Sequence, residues 1–529
     1  MDRQKLREEL SLLSQHARFS VKQKSWPNVY ALAQKIIALD KNDPEGHFLC
    51  GLAEKAARRF ELAIDAFAHA LKLGPHRYDA AIELAQVYLL LLRHSEAFDL
   101  LINYEQQLSN SPLYLDMAAN TFSGLGLHSR AWPLYEQANK LQPNIDVFRA
   151  NLAACGVLLG KVTESKAIYE DLANKYPQHQ KNHYELSKLE SAKNVKHIEQ
   201  MQKILIDTKS PPEKNIFMYY ALGKELEDLG RWKESFGYYK KAGEAVLSVA
   251  NYDVTEEIRL IDSIINTCTL DWLSNGKCTT QNTKSVKTPI FIVGLPRTGT
   301  TLVERILSSH SQVESADETF FMQLAIRHVS GAGGINEPDE KIIKNAANKD
   351  IQLIAQHYMN SVGYRLSDRP MFIDKYPYNY LYLGFIAKAF PDAKIIYLKR
   401  NPMDACFAMF KQSFFKFAYS LDDLGKYYVA QDKLRKHWQS ILGDRIIEVD
   451  YESLVANQEF KTKEMLNQIG LEFESACLEF EKNTAPSATA STLQVREKIH
   501  TRSVNKWKNF ADELEPLETF LIQAGIDTQ

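Results

Sequence analysis

The chain has 529 residues, of which 45% are hydrophobic and 25% are charged. These fractions are typical of a globular protein, and the length predicts two or more domains. Lysines and arginines number 64 against 66 aspartates and glutamates, a formal charge of −2. Bulk charge therefore does not predict binding to a polyanion or a membrane surface, and any positive field has to be local.

The beginning of the chain and its cysteines predict a cytoplasmic protein. The first residues, MDRQKLREELSLLSQ, lack the apolar core of a signal peptide. No stretch approaches the roughly 18 consecutive apolar residues of a membrane span. Six cysteines are scattered without a C-x-x-C pair or histidines at zinc spacing, which predicts reduced thiols and no metal site; they are Cys50, Cys155, Cys268, Cys278, Cys406 and Cys477.

Residues 1–245 carry a repeat of 34 residues. Within each unit a small residue is followed twelve places later by another small residue, and four places further by a large one. Small residues at this spacing let two helices approach closely, and the large side chain fills the groove to the next unit. In chain order the three sets are Gly51, Ala85, Ala119 and Ala153; Ala63, Ala97, Ala131 and Ser165; and Phe67, Leu101, Tyr135 and Tyr169.

A later unit keeps this spacing with Gly223, Ser235 and Tyr239, whereas the unit around Ser187 is weaker. The pattern resembles the tetratricopeptide repeat, a helix–turn–helix unit of 34 residues. The resemblance implies an all-α solenoid whose concave surface binds a protein or peptide partner or the acceptor. A purely scaffolding or dimerising role for the repeats stays equally open.

The residue pattern of the chain changes after the repeats. Residues 246–287 predict a helical stretch and then a polar linker, NGKCTTQNTKSVKTP. In residues 288–529, β-rich runs alternate with helical segments; the runs are IFIVG, MFIDK, KIIYLKR and RIIEVDY. This alternation predicts an α/β domain with a mainly parallel sheet covered by helices.

The segment GLPRTGTT, residues 294–301, joins the first predicted strand to a helix. Its spacing is that of the phosphate-binding loop G-x-x-x-x-G-K-[ST], but Thr300 replaces the lysine and Arg297 lies within the loop. Open N–H groups, the helix dipole and the Arg297 guanidinium favour an anion there. The missing lysine argues against binding of the β- and γ-phosphates of ATP. Such a site also needs a strand that ends in a magnesium-binding aspartate, and FIDK is the nearest candidate.

Further segments follow this loop in one order, namely HSQVESADET, DKYP, YLKRNPMDA, VDYESL and STLQV…KW. Together with PRTGTTLVERIL they make residues 288–510 resemble sulfotransferases that use 3′-phosphoadenosine 5′-phosphosulfate. The resemblance is strongest to the tyrosylprotein sulfotransferase group and its bacterial relatives with fused tetratricopeptide repeats. It implies transfer of a sulfuryl group to a hydroxyl acceptor without a metal. The acceptor stays open among a protein tyrosine, a glycan and a small metabolite.

The resemblance also implies which residues bind the donor. Arg400 would bind the 3′-phosphate, and it precedes a predicted helix N-terminus at Asn401 and Pro402. Tyr451 matches a nucleotide-contacting tyrosine, or is an ordinary residue at a strand end. The residues that would bind the 5′-phosphosulfate are Arg297, Thr298, Gly299, Thr300 and Thr301.

The chain departs from the family pattern at two donor contacts. Ala408 replaces a serine, and Gln412 stands at a position that is basic in the family. Lost contacts of this kind cost about 1–2 kcal/mol. Lys399, Lys411 or Arg496 would compensate for them.

For catalysis, the resemblance implies that Glu318 is the general base, because it aligns with the family's base and Asp317 does not. Lys375 aligns with the lysine that stabilises the leaving phosphate oxygen and the sulfuryl group. Ser491, also predicted to be catalytic, and Lys506, predicted to bind the donor, align with further contacts of the family, although the spacing between them differs by one residue. Two other classes stay open: a P-loop kinase that needs magnesium and ATP, and a repeat scaffold with a degenerate nucleotide-binding domain.

Overall fold

The computed structural model describes residues 3–107, 111–275, 287–333, 338–489 and 491–529. The chain divides into two compact units, residues 1–155 and 156–529. Cys278 and most of the predicted linker lie outside the described residues, and the predicted domain limits at 245 and 288 stay predictions. Five cysteines within the described ranges are unpaired. None of the helices in these ranges combines the length and apolarity needed to cross a bilayer.

The N-terminal unit is all-α, as the repeat predicts. The first eight of the helices named below pack consecutively against one another. The helices of the unit are α1 (Arg3–Lys22), α2 (Trp26–Leu39), α3 (Pro44–Ala56), α4 (Phe60–Leu73), α5 (Tyr78–Leu90), α6 (His94–Tyr104), α7 (Pro112–Gly124), α8 (His128–Leu141) and α9 (Asp146–Leu158), within which the division falls.

The small and large residues of the repeat occupy the positions that the sequence pattern predicts. Ala63 and Ala97 are completely buried, and Phe67 lies against Gly51. A Cβ at Gly51 would come within 2.6 Å of the Phe67 ring, so only glycine permits this distance between α3 and α4. Close approach of the two helices thus explains the small residue.

The turns inside the repeats share a left-handed residue, and these residues are also 34 apart. They are Lys24, Arg58, Leu92 and Gly126, with φ of 55°, 57°, 59° and 78°. Glycine adopts this conformation without a penalty, whereas an L side chain costs about 1–2 kcal/mol. The turn geometry therefore belongs to the repeat even where the sequence does not supply glycine.

Helical pairs continue into the second unit. Gly223 contacts Tyr239 as Gly51 contacts Phe67, because a Cβ there would lie 2.7 Å from the tyrosine ring. The helices before the sheet are α10 (Val162–Lys175), α11 (Gln180–Leu189), α12 (Lys196–Thr208), α13 (Ile216–Asp228), α14 (Trp232–Leu247), α15 (Val254–Thr267) and α16 (Leu270–Ser274).

The sheet has five parallel strands in the order β2-β3-β1-β4-β5. The four predicted strands are confirmed, and the three-residue β2 was too short to predict. The strands are β1 (Thr288–Gly294), β2 (Val313–Ser315), β3 (Met371–Asp374), β4 (Lys394–Lys399) and β5 (Ile446–Asp450).

Helices surround this sheet, as the alternating pattern predicts. They are α17 (Thr300–Ser308), α18 (Phe321–Val329), α19 (Glu340–Ala347), α20 (Ile351–Val362), α21 (Leu383–Ala389), α22 (Pro402–Phe410), α23 (Leu421–Leu442), α24 (Tyr451–Ala456), α25 (Gln458–Ile469) and α26 (Ala511–Gln523).

Strand β1 is buried on both faces. Phe291 packs into one hydrophobic core and Ile290 into the other, which explains its continuous apolar run. The last repeat contributes to the first of these cores, since Phe236 of α14 stacks on Phe410 with ring centroids 5.4 Å apart. A Cβ at Gly243 of α14 would lie 2.2 Å from the Tyr419 carbonyl oxygen. The last repeat and the sheet domain therefore share one packed interior.

Candidate active site

The loop between β1 and α17 has left-handed backbone at three positions. The angle φ is 139° at Gly294, 68° at Arg297 and 101° at Gly299. A Cβ at Gly294 would lie 2.6 Å from the carbonyl oxygen of Leu398, and one at Gly299 would lie 2.6 Å from the Tyr451 ring. Close packing therefore requires both glycines. Arg297 adopts this conformation without being glycine, a strain that is common at functional sites.

The N-terminus of α17 opens onto this loop. The backbone hydrogen bond from Val303 N–H to the Gly299 carbonyl measures 3.2 Å. The N–H groups of the preceding helical residues, Thr300 to Leu302, therefore have no helical partner. Gly299 provides no side-chain cap, so these groups and the helix dipole favour an anion.

The predicted threonines lie at the start of the same helix and are buried. The Thr298 hydroxyl donates to the Leu295 carbonyl at 2.7 Å, which holds the loop closed. The Thr301 hydroxyl donates to that of Thr489 at 3.3 Å. Thr489 belongs to the segment that also carries Ser491, so the loop and this segment are directly connected.

Arg297 and Arg400 meet beside the loop. Arg400 donates from Nη1 to the Arg297 carbonyl at 2.8 Å and from Nη2 to the Ser503 carbonyl at 2.5 Å. Arg297 donates from Nη1 to the Ser491 hydroxyl at 2.5 Å. The Nε of each arginine is buried and has no hydrogen-bond partner among the described residues. Buried donors are normally satisfied, so both groups are candidates for contact with an anion.

The field at Arg297 is positive. Burial and, to a smaller extent, the neighbouring Arg400 together lower the pKa of Arg297 to about 10, although Tyr451 and Glu318 oppose the shift. The Arg400 guanidinium lies over the Tyr451 ring, 4.8 Å from its centroid. The structure thus places Tyr451 in contact with both the loop and the second arginine, and a bound anion would relieve the repulsion between the two guanidinium groups.

A second charged group lies at the carboxyl end of β3. The ammonium of Lys375 has no exposed surface and lies 2.6 Å from Glu318 Oε1 and 3.5 Å from Glu304 Oε2. Burial lowers the pKa of Lys375, but Glu318, Glu304 and Asp317 reverse this and hold its pKa above the ordinary value. Two of the three residues predicted for catalysis, Glu318 and Lys375, are therefore an ion pair beside the loop, whereas the third, Ser491, contacts Arg297.

Glu304 and Asp374 lie next to this pair. The sequence interpretation gave Glu304 no role and weighed Asp374 only as the end of FIDK, its nearest candidate for a magnesium-binding strand end. Glu304 accepts a hydrogen bond from the Ser315 hydroxyl at 2.5 Å, and its burial raises its pKa. Asp374 is completely buried and accepts hydrogen bonds from Thr319 and Tyr358, each at 2.8 Å. Glu304 lies in VERIL and Asp374 in FIDK. In each motif a charged residue stands among apolar ones, and this was the sequence signal for a buried charge.

Two other predicted cations, Lys506 and Arg496, pair with groups outside the loop. Lys506 contacts Glu227 Oε1 at 2.6 Å. Arg496 donates to the Leu158 carbonyl at 3.0 Å, and a Cβ at Gly160 would lie 2.7 Å from its guanidinium. The structure thus places Arg496 against a repeat turn.

Residues 289–475 match the family model described as "Sulfotransferase family". An uncharacterized protein of Aquifex aeolicus is 31% identical over 338 residues, which cover 60% of this chain and 43% of that protein. Protein-tyrosine sulfotransferase 1 of Danio rerio is 24% identical over 237 residues, covering 41% of this chain and 65% of the relative. The protein-tyrosine sulfotransferase of Drosophila melanogaster is 22% identical over 231 residues, covering 41% and 46%. The chain spans less than two thirds of these relatives.

Solved structures resemble the two parts separately. The sulfotransferase domain from the curacin biosynthetic pathway aligns with 46% of this chain and 99% of its own, at 16% identity and a TM-score of 0.32. YrrB, described as a TPR protein with an unusual peptide-binding site, aligns with 39% and 97%, at 17% identity and a TM-score of 0.29. The family match shows that the C-terminal region contains a sulfotransferase-family domain, which follows N-terminal helical repeats.

Proposed function

We propose that the protein is a sulfotransferase that moves a sulfuryl group from 3′-phosphoadenosine 5′-phosphosulfate to a hydroxyl acceptor. The observation that carries this proposal is the pair of buried Nε groups of Arg297 and Arg400, beside the open N-terminus of α17, for which the described residues provide no hydrogen-bond partner. Two anion-binding positions fit a donor with phosphates at both ends of its nucleoside. The sulfotransferase-family match of residues 289–475 supports the class.

The residues of the loop would bind the 5′ end of the donor, and Arg400 would bind its 3′-phosphate. Arg297 would contribute charge and a planar fork, and the Ser491 hydroxyl fixes that fork through its hydrogen bond. The Tyr451 ring packs against the Arg400 guanidinium in a cation–π contact. The anionic donor would then relieve the repulsion between the two guanidinium groups. These fixed cations take the place of a lysine in the loop.

During transfer, the bond between sulfur and the bridging phosphate oxygen breaks, and a bond between sulfur and the acceptor oxygen forms. Glu318 accepts the proton of the acceptor hydroxyl. Lys375 neutralises the charge that develops on the bridging oxygen. Protonation of Glu318 removes one counter-ion of Lys375, but Glu304, 3.5 Å away, still balances the buried ammonium.

For the repeats of the N-terminal unit we propose a binding role toward the acceptor or a partner protein. Polar side chains form connected pairs on its odd-numbered helices. Lys55 donates to Glu83 at 2.7 Å and to Gln86 at 2.8 Å, and Asn151 donates to Asp116 at 3.0 Å. Stacked repeats form an extended concave surface, and polar side chains on such a surface can contact a peptide or another protein.

Calorimetric titration with 3′,5′-adenosine bisphosphate, without added metal, tests the donor assignment. We expect saturable binding and a raised melting temperature, since a ligand at 100 times its Kd stabilises the folded state by about 2.7 kcal/mol. Magnesium–ATP serves as the parallel titration. Binding of magnesium–ATP alone would refute the proposal in favour of a kinase, and no binding of either would favour the scaffold.

A further inference from the structure

One carboxylate of the last repeat lies between two lysines of the sheet domain. Glu227, near the end of α13, is 5% exposed. Its Oε1 lies 2.6 Å from Lys506 Nζ and 2.8 Å from Lys411 Nζ, and its Oε2 lies 3.1 Å from Lys411 Nζ. The Tyr239 hydroxyl donates to Oε2 at 2.9 Å. The repeat therefore supplies the counter-ion of both lysines.

Both lysines belong to segments that border Arg400. Lys411 follows α22, the helix that begins directly after Arg400 and Asn401. The segment of Lys506 is tied to the same helix, because Asp404 accepts hydrogen bonds from the N–H groups of Asn505 at 2.6 Å and Trp507 at 3.0 Å. Lys411 is also close enough to Arg297 for the two charges to interact. Lys506, Lys411, Arg297 and Arg400 are thus a series of cations in which each interacts with the next, and we call them the cation cluster.

Charge balance makes Glu227 necessary to this cluster. Burial lowers the pKa of Lys411, and the nearby Lys506 lowers it too, whereas Glu227 raises it. Burial would raise the pKa of Glu227, but Lys411 and Lys506 bring it down to about 2. The two lysines thus favour the ionised form of Glu227, and Glu227 favours the charged form of Lys411.

The geometry leaves Lys506 available to a ligand. An ammonium has three N–H donors, and Glu227 is its one ion-pair partner within the described ranges. The Lys506 side chain is 40% exposed, so solvent or an anion can reach it. The ion pair with Glu227 restricts the position of the Lys506 ammonium, and its other N–H groups can donate to a ligand.

We propose that Glu227 is a positioning residue of the donor site, through which the last repeat holds Lys506 and Lys411 for the 3′-phosphate. This rests on the proposed function. It gives the repeat a part in donor binding that neither family pattern predicts for it. The lysines also replace the contacts that Ala408 and Gln412 do not make.

Glu227→Gln tests this role, because the amide preserves shape and removes charge. We expect the Kd for 3′,5′-adenosine bisphosphate and the KM for the donor to rise about tenfold, with kcat nearly unchanged. In a Lys506→Met background the same substitution should have a much smaller effect, because the two residues act as a unit. Glu225→Gln is the matched control, since Glu225 lies on the same helix and pairs with His197 instead.

Tyr239→Phe provides a milder test should Glu227→Gln fail to fold. It removes only the hydroxyl that orients Glu227 and should raise the Kd about two- to threefold. An unchanged Kd in the folded variants overturns the inference, and so does tighter binding in Glu227→Gln, which would make Glu227 a competitor of the anion. Equal losses with and without Lys506 would reduce Glu227 to a structural residue. Failure of the unaltered protein to bind 3′,5′-adenosine bisphosphate would instead refute the proposed function.

Discussion

Asp374, at the end of β3, makes the stability of this protein depend on pH. The carboxyl group is completely buried. Burial raises its pKa to about 7, although hydrogen bonds from Thr319 and Tyr358 oppose the shift. Asn379 Nδ2 donates to Asp374 Oδ1 at 3.1 Å, and Asn379 Oδ1 is buried without a hydrogen-bond partner in the described part of the chain. An amide at position 374 is therefore compatible with all three neighbours.

The sign and size of the effect follow from linkage. The aspartate of an unfolded chain has a pKa of about 3.9. Between about pH 4 and pH 7 the folded protein binds one more proton at this site than the unfolded chain. The stabilisation is therefore fully present below about pH 4 and is lost as the pH rises through about 7. A shift of about three units corresponds to about 4 kcal/mol.

Asp374→Asn removes this titration. The amide oxygen accepts from Thr319 and Tyr358, and the amide nitrogen donates to Asn379 Oδ1 once the Asn379 side chain has rotated. We expect the variant to fold, and its free energy of unfolding relative to the original protein to rise by about 1.4 kcal/mol per pH unit between about pH 4.5 and pH 6.5. Urea unfolding followed by circular dichroism at several pH values measures this difference.

Asp392→Asn controls for the loss of one negative charge, because Asp392 is exposed. Its stability should run parallel to that of the original protein at all pH values. The reasoning is refuted if Asp374→Asn also runs parallel, since Asp374 would then be ionised in the folded state and its hydrogen bonds would outweigh burial.

Three further predictions concern the site and the repeats. Arg400→Ala should raise the Kd for 3′,5′-adenosine bisphosphate about 30-fold or more, as expected for a desolvated charge contact; calorimetry showing an unchanged Kd would exclude Arg400 from the donor site. Glu318→Gln should lower kcat about 10²–10⁴-fold with unaltered donor affinity, and a smaller loss for Asp317→Asn in the same transfer assay distinguishes the two carboxylates. Arg58→Gly should raise the unfolding free energy by about 1 kcal/mol, because glycine removes the left-handed strain; Gly126→Ala should lower it, and equal thermal stabilities would contradict this account.

The sequence by itself determined the periodic parts of this protein. Small and large residues 34 apart define the helical pairs, because local spacing decides which side chains face the neighbouring helix. The four longer strands were predictable as β-rich runs, and the loop from Gly294 to Thr301 was predictable from glycine spacing and an adjacent helix. The loop, Arg400 and the Glu318–Lys375 pair were all candidates from the sequence.

Only the tertiary structure decided which charges meet. Glu227 lies 184 residues before Lys411, and Arg496 contacts the turn at Gly160 rather than the loop. Neither pairing follows from local spacing, because each depends on how the last repeat packs against the sheet domain. Asp374 belongs to a visible motif, but its burial and its hydrogen-bond donors are set by strands and helices that converge on it. Local patterns determine elements, whereas desolvation and ion pairing depend on the whole fold, since they measure what surrounds a charge.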